Sequence, residues 1–296
     1  MINGSMYSRK IKNMLKRKEI EIVDILSVEN DDKTYSGILM PRINTGDKDS
    51  LVLKLDNGYN VGLHYESGMN VKLVSKKEER PKKKFEPVKY DKKKPDISIL
   101  SMGGTIASSV DYKTGGVFPH STAEELVASI PELAEIANIR GRQVENILSE
   151  DMKFSYYTKL IEEIEKEIEK GCDGVVVTHG TDTMHYTASA VSFALENLSV
   201  PVVFVGAQRS GDRASSDGPM NLICATRFIA NSEFGEVAIC MHATDSDDFC
   251  HIMPGYKSRK MHSSSRKAFM PINTYPWAIV SKEGEIRFFR EDFCRK

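Results

Sequence analysis

Five short strand-like runs recur between residues 97 and 241: 97–100, 144–148, 174–177, 202–205 and 237–241. Each is too short for a buried helix, and all but 144–148 (Val-Glu-Asn-Ile-Leu) are too apolar for a half-exposed strand, so the five predict strands, most of them buried on both faces. Helical patterns fill the gaps: from Thr122, across 156–170, from Thr183, and across 217–231. Strand alternating with helix restricts the fold to α/β, a doubly wound and mostly parallel sheet. A final hairpin, 277–281 with 285–289, completes a domain over 97–296. There is no internal repeat. Open parallel sheets bind ligands beyond the carboxyl ends of their strands, so the residues just after 100 and 177 are where chemistry is expected.

Upstream, strands are predicted at 21–26, 35–40, 51–55, 59–65 and 71–74, with Asn57-Gly58 as a tight hairpin turn. This reads as a small β-barrel over 1–74, with residues 1–18 as a basic N-terminal arm. It holds no convergent catalytic cluster, which favours an interaction role. Between the two domains, residues 75–96 carry ten lysines and arginines against five acids, with Pro81, Pro87 and Pro95. Proline and charge without periodicity mark a solvated linker. The same lysines also suit nucleic-acid phosphates, and the two readings stand side by side.

Composition narrows the class. At 40% hydrophobic and 28% charged, the chain buries a sizeable core and is not disordered. No apolar run approaches the roughly 20 residues of a membrane span, and residues 1–18 lack the apolar stretch of a secretory signal. A cytoplasmic location is expected. Cys172, Cys224, Cys240, Cys250 and Cys294 form no disulfide framework and read as reduced, mostly buried thiols. Cys240, His242, Cys250, His251 and His262 fit no zinc spacing, so no metal is expected in this chain.

The strand ends carry hydroxyls. Gly103-Gly104-Thr105-Ile106-Ala107-Ser108 follows the first run, and Thr178-His179-Gly180-Thr181-Asp182-Thr183-Met184 follows the third. A threonine hydroxyl attacks a carbonyl only when a neighbouring base activates it. Thr105, Thr181 and the adjacent Asp182 therefore point to carbonyl chemistry. Together the two segments resemble the signature of the L-asparaginase/glutaminase family. That resemblance implies Thr105 as nucleophile, Thr181 and Asp182 as a second catalytic pair, and Lys260 as the family lysine. It implies a substrate clamp from Ser149 and Glu150, where free asparaginases commonly carry glutamine at the second position, and a contact at Ala207. Which threonine attacks first stays open, as does whether Asp182 orients Thr181 or holds the substrate amino group. Tyr112 lies on an expected lid and reads equally as an activator or as an exposed loop residue. Met102 replaces the threonine usual there, and Asp217 reads as a helix cap.

The upstream module narrows the likeness. Gly37-Ile38-Leu39-Met40-Pro41-Arg42, Lys54-Leu55-Asp56-Asn57-Gly58, Lys260-Met261-His262-Ser263 and Phe269-Met270-Pro271-Ile272-Asn273 are similar to the D-type subunits of archaeal-type glutamyl-tRNA(Gln) amidotransferases. What that implies is a glutaminase supplying ammonia to a partner subunit, which activates Glu-tRNA(Gln) with ATP and Mg2+. Glutamine is the implied substrate, with tRNA(Gln) engaged indirectly and a dimer inside a heterotetramer. The alternatives are a free L-asparaginase or a non-catalytic tRNA- or partner-binding subunit. Family members continue into a smaller second α/β domain, so a truncated chain, weak on its own, is expected.

Overall fold

The computed structural model describes residues 7–30, 33–40, 47–56, 60–76, 90–103, 108–110, 117–119, 123–209 and 215–296. These fall into two compact units, the described residues up to 76 and those from 90 onward. The Asn57-Gly58 turn and most of the lysine-rich 75–96 segment lie outside the described residues.

The first unit opens with helix α1 (Arg9–Arg17), followed by strands β1 (Ile25–Asn30), β2 (Lys33–Leu39), β3 (Ser50–Leu55), β4 (Asn60–His64) and β5 (Val71–Ser75). All pair antiparallel, in the order β4-β3-β2-β1-β5. Two expectations change here. The basic arm is a docked helix: the Ser8 hydroxyl accepts from the Ile11 N–H, and Ile11, Met14 and Leu15 are buried beneath it. Their spacing of three and four puts them on one face, and each such burial contributes about 1.5–3 kcal/mol. The expected strand 21–26 starts only at Ile25. Before it, Val23 sits at φ 81, Asp24 N–H donates to the Glu21 carbonyl, and Glu21 N–H donates to the Asp24 carboxylate at 2.8 Å. A β-branched residue at positive φ breaks an extended run.

The second unit contains β6 (Asp96–Ser101), β7 (Ser108–Val110), β8 (Val117–Pro119), α2 (Ala123–Ser129), α3 (Glu132–Ile136), β9 (Asn138–Gln143), α4 (Phe154–Glu169), β10 (Gly174–Thr178), α5 (Met184–Ala194), β11 (Val202–Val205), α6 (Gly218–Asn231), β12 (Val237–His242), β13 (Phe249–Pro254), β14 (Ser258–Lys260), β15 (Phe269–Pro271), β16 (Ala278–Ser281) and β17 (Ile286–Phe288). Eight strands make one sheet, ordered β17-β16-β13-β12-β11-β10-β6-β9. From β12 to β9 the pairing is parallel, and β13, β16 and β17 extend it antiparallel. The fold is thus α/β with a mostly parallel, doubly wound sheet. Strand alternation divides β10 between two cores. Val176 packs with Leu222 and Phe228 of α6, and Val175 and Val177 pack with Leu160 of α4 and Ala188 of α5.

The strand expected at 144–148 does not form. Its place is taken by β9, which pairs with β6 from Asp96↔Asn138 to Ser101↔Gln143. An edge strand is covered less than a central one, and β9 reads Asn-Ile-Arg-Gly-Arg-Gln, polar enough to hide it. Arg140 pairs with Asp96 at 2.8 Å, and Arg142 with Glu167 at 3.2 Å. Residues 144 and 145 instead donate their N–H groups to the Ser101 carbonyl, which directs the chain across the end of β6.

Candidate active site

The ends of β6 and β10 meet through backbone contacts. Met102 N–H donates to the Thr178 carbonyl at 3.0 Å, and Ile147 N–H donates to the Met102 carbonyl at 3.2 Å. Met102 is buried in the core below. Gly103 turns the chain at φ +105, and a side chain there would stand 2.5 Å from the Ile147 carbonyl oxygen. Only glycine fits such a turn without strain. Thr105 and Tyr112 lie outside the described residues.

Three of the sequence-predicted residues come together. Lys260, at the end of β14, donates from Nζ to Thr181 Oγ1 at 2.8 Å and to Asp182 Oδ1 at 2.6 Å. The lysine side chain is 10% exposed and the aspartate 64%, so the ammonium is sheltered while its counter-ion faces solvent. An ammonium partly removed from water is held by charge-assisted bonds of this length. Thr181 and Asp182 occupy the turn between β10 and α5, and 79 residues separate Thr181 from its lysine.

The walls are set by close backbone packing. A Cβ on Gly180 would lie 2.7 Å from Ser149 Cβ, and one on Gly206 would lie 2.8 Å from Thr181 Cγ2. Ser149 is buried, and its carbonyl accepts from Thr183 Oγ1 at 2.6 Å. Glu150 is exposed beside it, and Ala207 is buried directly after Gly206. The expected clamp residues therefore border the Thr181 turn.

Other polar residues, to which sequence reasoning gave no role in this centre, surround it. His179 is buried, with Nδ1 2.7 Å from the Gly180 carbonyl and Nε2 3.0 Å from Thr187 Oγ1. The carbonyl accepts only, so Nδ1 carries the proton and Nε2 accepts from threonine. Burial lowers this imidazole to about 4 and keeps it neutral. His185 is lowered too, by burial first and then by the charges of Arg259 and Lys260. Asp217 is not the side-chain cap expected: its carboxylate makes no cap bond to α6. It accepts instead from Gln208 N–H at 3.0 Å and Arg209 N–H at 2.9 Å, which ties down the segment after β11. Asn221 and His242 continue that network away from the centre.

Among the described residues no helix is long and apolar enough to cross a membrane. The family description "Asparaginase, N-terminal" matches residues 96–293, and "GatD N-terminal domain" matches residues 20–74. The chain is 47% identical over 292 residues to the D-type subunit of the glutamyl-tRNA(Gln) amidotransferase of Pyrococcus furiosus, an alignment covering 97% of this chain and 66% of that protein. The corresponding protein of Methanothermobacter thermautotrophicus is 46% identical over 292 residues, covering 98% of this chain and 66% of the relative. The chain thus spans 66% of the length of these curated relatives. Among solved structures, the thermostable L-asparaginase from Thermococcus kodakarensis superposes with a TM-score of 0.57 at 30% identity, over 66% of this chain and 56% of that one. A probable cytoplasmic L-asparaginase from Campylobacter jejuni gives a TM-score of 0.55 at 30% identity, over 67% and 56%. With its family match covering most of the chain, and solved asparaginases sharing its fold, this protein belongs to the asparaginase family.

Proposed function

We propose that this chain carries the glutaminase centre of a tRNA-dependent amidotransferase. It hydrolyses the side-chain amide of glutamine and passes ammonia to a partner subunit, which uses ATP and Mg2+ to activate Glu-tRNA(Gln). The observation that carries this reading is Lys260, held between Thr181 and Asp182 at a strand end of an asparaginase-type sheet. Amide hydrolysis needs a nucleophile, a proton path to the leaving nitrogen and a clamp for the charged end of the substrate. Thr105 Oγ1 attacks the amide carbon, its proton leaves with ammonia, and water later releases glutamate from the acyl-enzyme. Thr181, Lys260 and Asp182 form the proton path, and Ser149, Glu150 and Ala207 hold the substrate. Likeness to the amidotransferase relatives supports a partner subunit; glutamine as the substrate and assembly as a dimer of such pairs in the cytoplasm belong to the same proposal.

The test uses the full-length protein with its partner. Lys260→Met or Thr181→Val should reduce ammonia release from glutamine on the order of a hundredfold or more. Near-normal release by both variants would remove the site assignment. The likeness to two L-asparaginases favours a second reading, a free asparaginase. Robust hydrolysis of asparagine, with no ATP-dependent amidation of Glu-tRNA(Gln), would select it.

A further inference from the structure

Behind Thr181 and Lys260, side chains from four segments close into one hydrogen-bonded ring. Asn221, fully buried on α6, donates from Nδ2 to the Gly206 carbonyl at 2.9 Å and to Asp217 Oδ2 at 3.2 Å. The same Asp217 oxygen accepts from Gln208 N–H. Gln208 Nε2 donates onward to the carbonyls of Ser265, at 3.0 Å, and His262, at 3.3 Å. Next to Ser265, Arg266 Nη1 reaches Asp247 Oδ1 at 2.5 Å, and that oxygen lies 3.1 Å from His242 Nε2. His242 Nδ1 lies 2.6 Å from Asn221 Oδ1, which closes the ring.

The ring fixes a charge. Two acceptors face Asn221 Nδ2, so the amide cannot be flipped and its Oδ1 points to His242. His242 Nδ1 must then carry a proton. Nε2 faces a carboxylate that the His242 bond first, and then the Arg266 charge, hold below the usual range, so this nitrogen meets an acceptor as well. Cys250 is the other group on Asn221 Oδ1, at 3.3 Å, and burial pushes its thiol up, so it donates rather than competes as an anion. Only a ring protonated at both nitrogens satisfies both neighbours. Other charged groups of the surround, among the described residues, include Asp245, bound by Arg266 through its carbonyl and by Lys267 at 3.3 Å, and Asp217 beyond Asn221.

We propose that His242, held as an imidazolium between Asn221 and Asp247, is a positioning residue for amide hydrolysis at the Thr181–Lys260 centre. The ring sets two things that touch that centre. Through Asn221 and Asp217 it holds the 206–209 segment, whose Gly206 packs on Thr181. Through Gln208 and Arg266 it pins the 261–266 loop that leaves Lys260. Sub-ångström slack at either point moves the lysine relative to the threonine, and small misplacements of reacting groups cost large factors in rate. The role rests on the glutaminase reading; the charge of the ring does not.

The test is 15N-histidine NMR on the full chain, with His242 assigned by comparison with His242→Gln. Both ring nitrogens of His242 should be protonated at pH 7. In Asp247→Asn, an exposed substitution, the ring should become neutral with its proton on Nδ1. In the full-length protein with its partner, Asp247→Asn should lower kcat/KM for glutamine about tenfold, mainly through kcat, with the circular dichroism spectrum unchanged. Asp247→Glu should restore most of the loss. A neutral ring in the unaltered protein at pH 7 overturns the imidazolium. An imidazolium with unchanged kcat/KM in Asp247→Asn overturns the positioning role. No hydrolysis by the unaltered protein overturns the glutaminase reading and this role with it, while the ring charge stands or falls on the spectrum alone.

Discussion

Replacing Gly206 by alanine tests whether the segment after β11 forms a wall of the candidate site. The new methyl would stand 2.8 Å from Thr181 Cγ2, 3.0 Å from the His179 carbonyl oxygen and 3.4 Å from Met184 Sδ. Carbon atoms settle at about 3.5–4.0 Å, so something must move by about 0.7 Å or more. The His179 carbonyl belongs to backbone, so Thr181, held by Lys260 at 2.8 Å, is the part that gives. Overpacking of this kind costs about 1–3 kcal/mol. In a unit the size of 90–296 each kcal/mol lowers Tm by about 2–4 °C, so a drop of about 2–12 °C is expected by calorimetry. Ammonia release from glutamine, followed in a coupled assay, should fall at least about tenfold because Thr181 leaves its lysine. Gly62→Ala on β4, where an added methyl meets nothing within 4 Å, is the silent control. A lower Tm with full activity would refute the placement of Thr181 in the reaction, and an unchanged Tm would refute the packing itself.

Three further outcomes follow from burial and charge. Cys172, Cys224, Cys240 and Cys250 are buried and Cys294 is exposed, so a thiol reagent should modify one cysteine rapidly in the native chain and all five after denaturation. Burial works to raise the Glu167 carboxyl, but hydrogen bonds from Lys170, Ser98 and Arg142 outweigh it and hold it below 4.5. A lowered carboxylate stabilises above its unfolded value and loses that contribution as pH falls, so Glu167→Gln should cost about 1–3 kcal/mol at pH 7 and flatten acid unfolding below about pH 4.5. His179 titrates at about 4 rather than 6.5, so its contribution is complete above pH 6.5 and disappears as pH falls toward 4. That drop corresponds to about 3 kcal/mol, and His179→Gln should remove this part of the stability-versus-pH slope in urea titrations.

The central strands were legible because burial on both faces leaves them mostly apolar: Val175, Val176 and Val177 of β10 are all fully buried. The same rule misplaced the strand beside β6. Being at the edge, β9 keeps Arg140 and Arg142 for ion pairs, so a polar sequence forms the strand while 144–148, with Val144, Ile147 and Leu148, does not. Helix α1 was hidden for a related reason. Three apolar residues, Ile11, Met14 and Leu15, are enough to dock a nine-residue helix but too few to stand out among the six cations of residues 1–18. In each case a tertiary partner, rather than local pattern, decided the element.

For the site, what could be read was what one segment carries by itself. Thr181 and Asp182 sit together in a turn whose strand is obvious, and Lys260 entered through family resemblance, being one cation in a basic stretch. No local signal could reach the ring behind them. Asn221 is 21 residues from His242, and Gln208 is 57 from Ser265, and each of these residues has an ordinary local role available. Asp217 makes the point most sharply. An acidic residue directly before Gly218-Pro219 has every mark of a helix cap, yet the segment after β11 offers it two part-buried backbone N–H groups at 3.0 and 2.9 Å. Two charge-assisted bonds to these N–H groups are worth more than the single bond of a typical cap, so the carboxylate turns away from its own helix. That choice is what allows Asn221, one helical turn on, to bond Gly206 and Asp217 together, and it links the stability of α6 to the position of Thr181.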